Sequence, residues 1–157
     1  MTDDPGQPSF LASILVSDRQ RAAVDVDALV DLARATLRGE GLDRVELSVS
    51  FVEDAEMEEL HVRYMDEAGP TDVLSFPQDP DDHPEEDGEG QGGVRILGDV
   101  VIAPAVAARN QPDDPAAELR LLLVHGILHL VGHDHEAPEE RAAMWARQER
   151  YSGVRTP

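Results

Sequence analysis

Apolar residues recur at two different spacings along the chain, and their alternation predicts both helices and strands. Residues 26–37 place apolar side chains at helical intervals, whereas residues 45–53 alternate apolar and polar side chains with a period of two. The same reasoning predicts strands at residues 11–17, 45–53, 72–76 and 96–103, and helices at residues 24–42, 54–65, 105–110, 115–132 and from Pro138 onward. This order of elements predicts an α+β fold with one small sheet covered by helices.

The chain shows no internal repeat and no sign of a second domain, so we expect residues 1–157 to form a single domain. Asp25 or Asp27 is expected to cap the first helix, because a carboxylate there can accept hydrogen bonds from unpaired backbone amides. Residues 78–90 contain seven acidic residues and no basic one. Such a charge run predicts a solvated loop.

The composition limits the classes of function that the chain can have. It has no cysteine, which excludes disulfides and thiolate metal sites. Its N-terminus lacks the basic and apolar regions of a secretory signal, and its longest apolar stretch, residues 121–132, is too short to span a bilayer. We therefore expect a cytoplasmic protein with no membrane partner.

The formal net charge is −20, and all 13 basic residues are arginine. An acidic surface repels nucleic acids and anionic membranes at long range. This weighs against autonomous tight binding of RNA or DNA. A polyanionic substrate would need a local positive centre, supplied by a metal ion or by arginines, or a partner that presents it.

Four of the six histidines fall within residues 125–135, HGILHLVGHDH. His125 and His129 are four apart in a predicted helix, so both side chains lie on one face and can reach a single ion. Gly132 lies where the helix is expected to end, and a glycine can reverse the chain and return His135 as a third ligand. The pattern predicts one divalent ion, most simply zinc, held by His125, His129 and His135.

Two alternatives concern the histidines themselves. Paired histidines on an apolar helix can instead be hydrogen-bonded core residues. If the metal is bound, three ligands leave a fourth position open, which favours a catalytic zinc, whereas a fourth ligand from His133 or Asp134 would make it structural. The spacing also matches the zinc-ligand skeleton of the metzincin proteases, but Gly126 stands where those enzymes place their glutamate base.

Three segments together resemble the YbeY family of bacterial metal-dependent endoribonucleases. The histidine block HGILHLVGHDHE is the most specific, and GPTDVLSFP (69–77) and LGDVVI (97–102) follow the family's order. The resemblance extends over roughly residues 45–150. It implies a small mixed sheet, one zinc ion, cleavage of single-stranded RNA, and roles in 3′-end maturation of small-subunit rRNA and in ribosome quality control. The expected partners are small-subunit rRNA and either ribosomal proteins or a ribosome-associated GTPase. DNA is not expected to be a partner.

Other site residues are less well defined by the sequence. Asp134 and Asp99 are the candidates for a general base, and Ser75 is a candidate for substrate binding. Family members often carry an arginine at the position of Met65. Arg63 is the nearest candidate for binding phosphate, although two residues along a helix turn its side chain to nearly the opposite face.

The competing functions differ in class. A metal-dependent peptidase or amidase is suggested by the metzincin spacing, and the absence of glutamate at Gly126 weighs against it. A non-enzymatic ribosome-assembly factor would use the zinc structurally. Hydrolysis of a small phosphoester is a weaker hypothesis.

Overall fold

The computed structural model describes residues 12–42, 44–65, 72–77, 95–133 and 137–154. Within these ranges the chain forms four strands and five helices. The strands are β1 (Ser13–Arg19), β2 (Val45–Val52), β3 (Val73–Pro77) and β4 (Arg95–Ile102), and the helices are α1 (Val26–Gly39), α2 (Asp54–Met65), α3 (Pro104–Asn110), α4 (Pro115–Val131) and α5 (Pro138–Ser152). The predicted acidic loop at 78–90 lies outside the described residues.

The four strands form one mixed sheet in the order β1-β2-β4-β3. β1 pairs with β2 and β2 with β4 in parallel, whereas β3 runs antiparallel to β4. Strand β4 lies next to both β2 and β3, and its last three residues, 100–102, are buried. The α+β class and the small mixed sheet expected from the sequence are confirmed.

The helices bury apolar side chains in three clusters, two of which lie against the faces of this sheet. The larger core joins α1 and α4 to the face that carries Leu47, Phe51 and Val100. A second core lies on the opposite face, where Met57 of α2 meets Val101 of β4. A third, smaller cluster packs Val124 and Leu128 of α4 against Met144 of α5. Helix α4 is therefore buried between the sheet and α5.

Local signals place most element ends correctly. Asp25 caps α1 by accepting a hydrogen bond from the amide of Ala28 at 3.1 Å, as one of the two predicted caps. Asp114 caps α4 in the same way, through Ala117. The main differences are at the first two elements. β1 is displaced by two residues from the predicted 11–17, since its pairing with β2 continues to Arg19, and α1 is shorter than the predicted 24–42. Backbone pairing at this edge strand tolerates the polar residues Asp18 and Arg19.

Two further properties concern the surface and the helices. Exposed large apolar side chains among the described residues include Leu15 and Ile96, one on β1 and one on β4. Across those same ranges no helix combines the length and the apolar character needed to cross a bilayer.

Candidate metal centre

Helix α4 places two imidazoles side by side near its carboxyl end. His125 and His129 are one helical turn apart, and their ring centroids lie 4.6 Å from each other with the planes at 77°. Both side chains are partly buried. This separation is short enough for one nitrogen of each ring to reach a common ion, at the usual zinc–nitrogen distance of about 2.0–2.1 Å.

The ring of His125 is oriented by a buried glutamine from α5. Nδ1 of His125 lies 2.5 Å from Oε1 of Gln148, whose residue is only 3% exposed. With this amide orientation Nδ1 carries the proton and donates it to the glutamine oxygen, so Nε2 carries the lone pair that a metal requires. Trp145 packs edge-on against the same ring at 6.2 Å. An imidazole nitrogen in this tautomer, on a ring held by Gln148 and packed by Trp145, is a suitable ligand for a divalent metal.

The end of α4 has the geometry that the sequence predicts at Gly132. This glycine adopts a left-handed conformation with φ of 113°, and its amide donates to the carbonyl of His129 at 3.1 Å. The amide of His133 donates to the carbonyl of Leu128 at 2.9 Å. Together these bonds form a Schellman motif, which ends the helix and turns the chain back.

The third predicted ligand, His135, and the predicted base, Asp134, lie outside the described residues. Within the described ranges no group of three histidine, cysteine, aspartate or glutamate side chains is close enough to hold a metal. His125 and His129 are therefore the part of the predicted site that the structure brings together, and the third ligand stays a prediction.

Gly126 follows His125 on the side of α4 that faces the sheet. A Cβ atom at this position would lie 2.8 Å from Cγ1 of Val100 and 3.1 Å from Oγ of Ser75. A glutamate therefore has no room here unless α4 moves away from β3 and β4. The water-activating carboxylate of the metzincin pattern is excluded by packing as well as by sequence.

Comparisons with known proteins place this chain among relatives of one family. The model of the family described as endoribonuclease YbeY matches residues 15–153. Endoribonuclease YbeY of Streptomyces coelicolor is 43% identical over 142 residues, covering 87% of this chain and 86% of that protein. Endoribonuclease YbeY of Salinispora tropica is 43% identical over 145 residues, covering 88% and 92% of the two chains. The solution structure of TM1509 from Thermotoga maritima aligns with a TM-score of 0.56 and 25% identity, over 88% of this chain and 86% of that one.

The chain belongs to the YbeY family. YbeY proteins are metal-dependent endoribonucleases, which are hydrolases that act on RNA in rRNA processing. The family match begins at residue 15, so it includes most of β1 and the whole of α1. The resemblance that the sequence motifs carry covers only roughly residues 45–150.

The other predicted site residues of this YbeY chain lie in different places. Ser75 of β3 is on the α4 side of the sheet, and its hydroxyl donates to the carbonyl of Gly126 at 3.1 Å. That bond ties β3 to the helix turn beside His125. Asp99 is exposed and adjoins Val100, which faces α4, so Asp99 points to the opposite face of the sheet. The structure does not bring Asp99 to the histidines.

Arg63 lies on α2, which packs on the sheet face opposite α4. Its guanidinium is 3.1 Å from Oε2 of Glu59, and both side chains are more than half exposed. Such an exposed pair contributes little stability. The structure therefore places Arg63 on a different layer from the two histidines.

Two residues that hydrogen-bond to the histidine block, Gln148 and Glu40, are not predicted from the sequence. Gln148 lies 23 positions from His125, and Glu40 lies 93 positions from its partner His133. Neither has a local spacing that connects it to the histidine block. Only the packing of α1 and α5 around the end of α4 brings them there.

Proposed function

We propose that this chain is a zinc-dependent endoribonuclease that cleaves single-stranded RNA. In this proposal it acts as a single cytoplasmic domain in 3′-end maturation of small-subunit rRNA and in ribosome quality control. The observation that carries the proposal is the His125–His129 pair, with His125 oriented by Gln148, in a chain of the YbeY family. His135 completes the ligand set by its position after the reversal at Gly132.

The chemistry divides between the ion and the protein. When bound, zinc with an open coordination position supplies a Lewis acid for phosphodiester hydrolysis and a local positive charge. The protein's residues orient the ligands, through Gln148, and fix α4 on the sheet, through Ser75. Asp134 is the general base in this proposal because it adjoins His135, whereas Asp99 faces away from α4.

The net charge of −20 bears on how substrate reaches the site. Such a surface repels RNA at long range, most strongly at low salt. Presentation of small-subunit rRNA by a ribosomal protein or a ribosome-associated GTPase is therefore part of the proposal. The packing at Gly126 favours RNA hydrolysis over a metzincin-type peptidase, because no base can occupy that position.

The test compares cleavage of single-stranded and duplex RNA by purified wild-type protein and by His129→Ala, with elemental analysis of each. We expect zinc in the wild type, and cleavage of single-stranded RNA that a chelator abolishes. The variant should remain folded and lose more activity than the roughly 10–100-fold expected from loss of a group that supports a metal ligand.

His61→Ala is the matched control, because it removes a histidine of α2 and leaves α4 unchanged. It should retain wild-type cleavage. Undiminished cleavage in both metal-free protein and folded His129→Ala would contradict the proposed site. Unfolding of His129→Ala, together with absence of cleavage by the wild type, would indicate a structural zinc in an assembly factor. Casein hydrolysis without RNA cleavage would indicate the peptidase.

A further inference from the structure

A buried carboxylate joins three segments beside the candidate metal centre. Glu40 directly follows α1, and its side chain is only 4% exposed. Its Oε1 lies 2.8 Å from Nε2 of His133, and its Oε2 accepts from Nη1 of Arg147 and from the hydroxyl of Tyr151, each at 2.6 Å. We call these four residues the Glu40 cluster. It connects the end of α1, the turn after α4, and α5.

The carboxylate of this cluster is ionised near neutral pH. Burial by itself raises the pKa of Glu40, but hydrogen bonds from Tyr151 and His133 and the charge of Arg147 outweigh it and lower the pKa below its ordinary value. An ionised carboxylate only accepts hydrogen bonds. Nε2 of His133 is therefore the donor in its contact with Glu40.

His133 is consequently fixed at two points. Its backbone amide donates to the carbonyl of Leu128, and its side chain donates to Glu40. His135 follows two residues later, and each residue spans at most about 3.3–3.6 Å of chain. Anchoring His133 therefore limits the positions that the third proposed ligand can occupy.

Helix α5 supports both parts of the site at once. Arg147 and Tyr151 hold Glu40, while Gln148, between them in sequence, holds the ring of His125. Helix α5 therefore contacts both a proposed ligand on α4 and the carboxylate that holds the turn after α4.

We propose that Glu40 is a positioning residue for the metal centre: by holding His133, it fixes the turn that directly follows the two histidines of α4. This inference rests on the proposed function, since it assumes that these histidines bind the ion. The inference predicts that folded variants lose zinc affinity when the Glu40–His133 contact is removed. Variants that only lower stability should keep it.

The test uses the full chain and measures zinc affinity by competition with a chromogenic chelator, alongside the visible spectrum of the cobalt-substituted protein. His133→Phe keeps a ring but removes the donor, and it should weaken zinc binding by roughly 10–100-fold. His133→Gln restores a donor and should recover most of the affinity. Circular dichroism and thermal melting check that each variant is folded.

Asp25→Ala is the matched control, because it removes the cap at the opposite end of α1 from Glu40 and leaves the cluster and the turn unchanged. It should lower the melting temperature and leave zinc affinity unchanged. Glu40→Ala combined with His133→Phe should bind zinc no more weakly than the weaker single variant, since both changes remove one contact. If Glu40→Ala does not fold, the comparison of His133→Phe with Asp25→Ala decides.

Wild-type affinity in folded His133→Phe would overturn the inference. An equal loss of affinity in Asp25→Ala would also overturn it, because affinity would then follow general stability. Failure of the proposed function has a different signature: the wild type would bind no zinc, or His129→Ala would bind it as tightly as the wild type.

Discussion

At the scale of single residues, the hydrogen bond between Gln148 and His125 determines which ring nitrogen can bind a metal. Neutral imidazole has one donor and one acceptor nitrogen, and the partner of the first selects the second. Oε1 of Gln148 accepts from Nδ1 at 2.5 Å, and the glutamine is nearly inaccessible to water. The contact is therefore well placed to hold one tautomer.

Replacing Gln148 by leucine should weaken zinc binding by roughly 10–100-fold, because the Nδ1–H group of His125 would lose its acceptor and the ring its orientation. Gln148→Glu keeps an acceptor at the same reach and should bind zinc at least as tightly as the wild type. Equilibrium competition for zinc measures both effects.

Ser152→Ala provides the control for this prediction. Ser152 is also buried on α5, and its hydroxyl donates to the backbone carbonyl of Gln148 at 2.5 Å, so its loss perturbs the helix but leaves the glutamine side chain in place. Zinc affinity should not change in this variant. Unaltered affinity in Gln148→Leu would show that His125 needs no such partner.

At the scale of elements, the sequence predicted α4 and its histidine face well because the signals were local. The i,i+4 spacing of His125 and His129 and the glycine at 132 are each read within one or two turns. The supporting residues could not be found in this way. The Glu40–His133 contact spans 93 positions and depends on how α1 packs beside the end of α4.

The predictions for Asp99 and Arg63 show the same limit. Residue type and position in the chain suggest both residues. Neither tells which face of the sheet a side chain lies on, because that depends on how the strands and helices pack. Strand alternation turns Asp99 away from α4, and α2 packs on the opposite face. Asp134 and His135 lie outside the described residues, so their roles stay predictions.

Gly126 sets the distance between α4 and the sheet, which leads to a second prediction. Gly126→Ala places a methyl group 2.8 Å from Cγ1 of Val100. Overpacking typically costs about 1–3 kcal/mol, and alanine recovers about 1 kcal/mol of helix propensity, so we expect a net loss of up to about 2 kcal/mol. Urea denaturation measures this free energy of unfolding.

The double variant with Val100→Ala tests the cause. Removing the valine methyl groups makes room for the new side chain, so Gly126→Ala should cost less in that background than in the wild type. An equal cost in both backgrounds would mean that contact with Val100 is not responsible for the loss.

At the scale of the whole molecule, the acidic surface and the buried carboxylate of Glu40 have different effects. The net charge of −20 produces long-range repulsion that salt screens, and it does not favour any one contact. The Glu40 cluster is different, since a single buried carboxylate holds α1, α5 and the turn after α4 together. Acidification should therefore affect this cluster in a way that the surface carboxylates do not reproduce.

The last prediction concerns the pH dependence of stability. The pKa of Glu40 in the folded chain lies below its ordinary value of 4.5, because the bonds from Tyr151 and His133 and the charge of Arg147 outweigh burial. A lowered pKa means that the native state favours the ionised form. The contribution of Glu40 is therefore complete above pH 4.5 and is lost as the pH falls through the lowered pKa. Tyr151 stays protonated throughout, since burial and its bond to Glu40 raise its pKa.

Glu40→Gln has no carboxyl group at this position and isolates the contribution from those of the other acidic residues, which both proteins share. At pH 7 the wild type should be more stable by roughly 1.5–3 kcal/mol, the usual contribution of hydrogen bonds to a charged group. The difference should narrow steadily below pH 4.5. Urea denaturation at several pH values, with chelator present so that metal release does not enter, measures it. A difference that stays constant from pH 7 to below the ordinary glutamate pKa would show that Glu40 acts through its shape and not through its charge, and that the ionised carboxylate is not what joins the three segments.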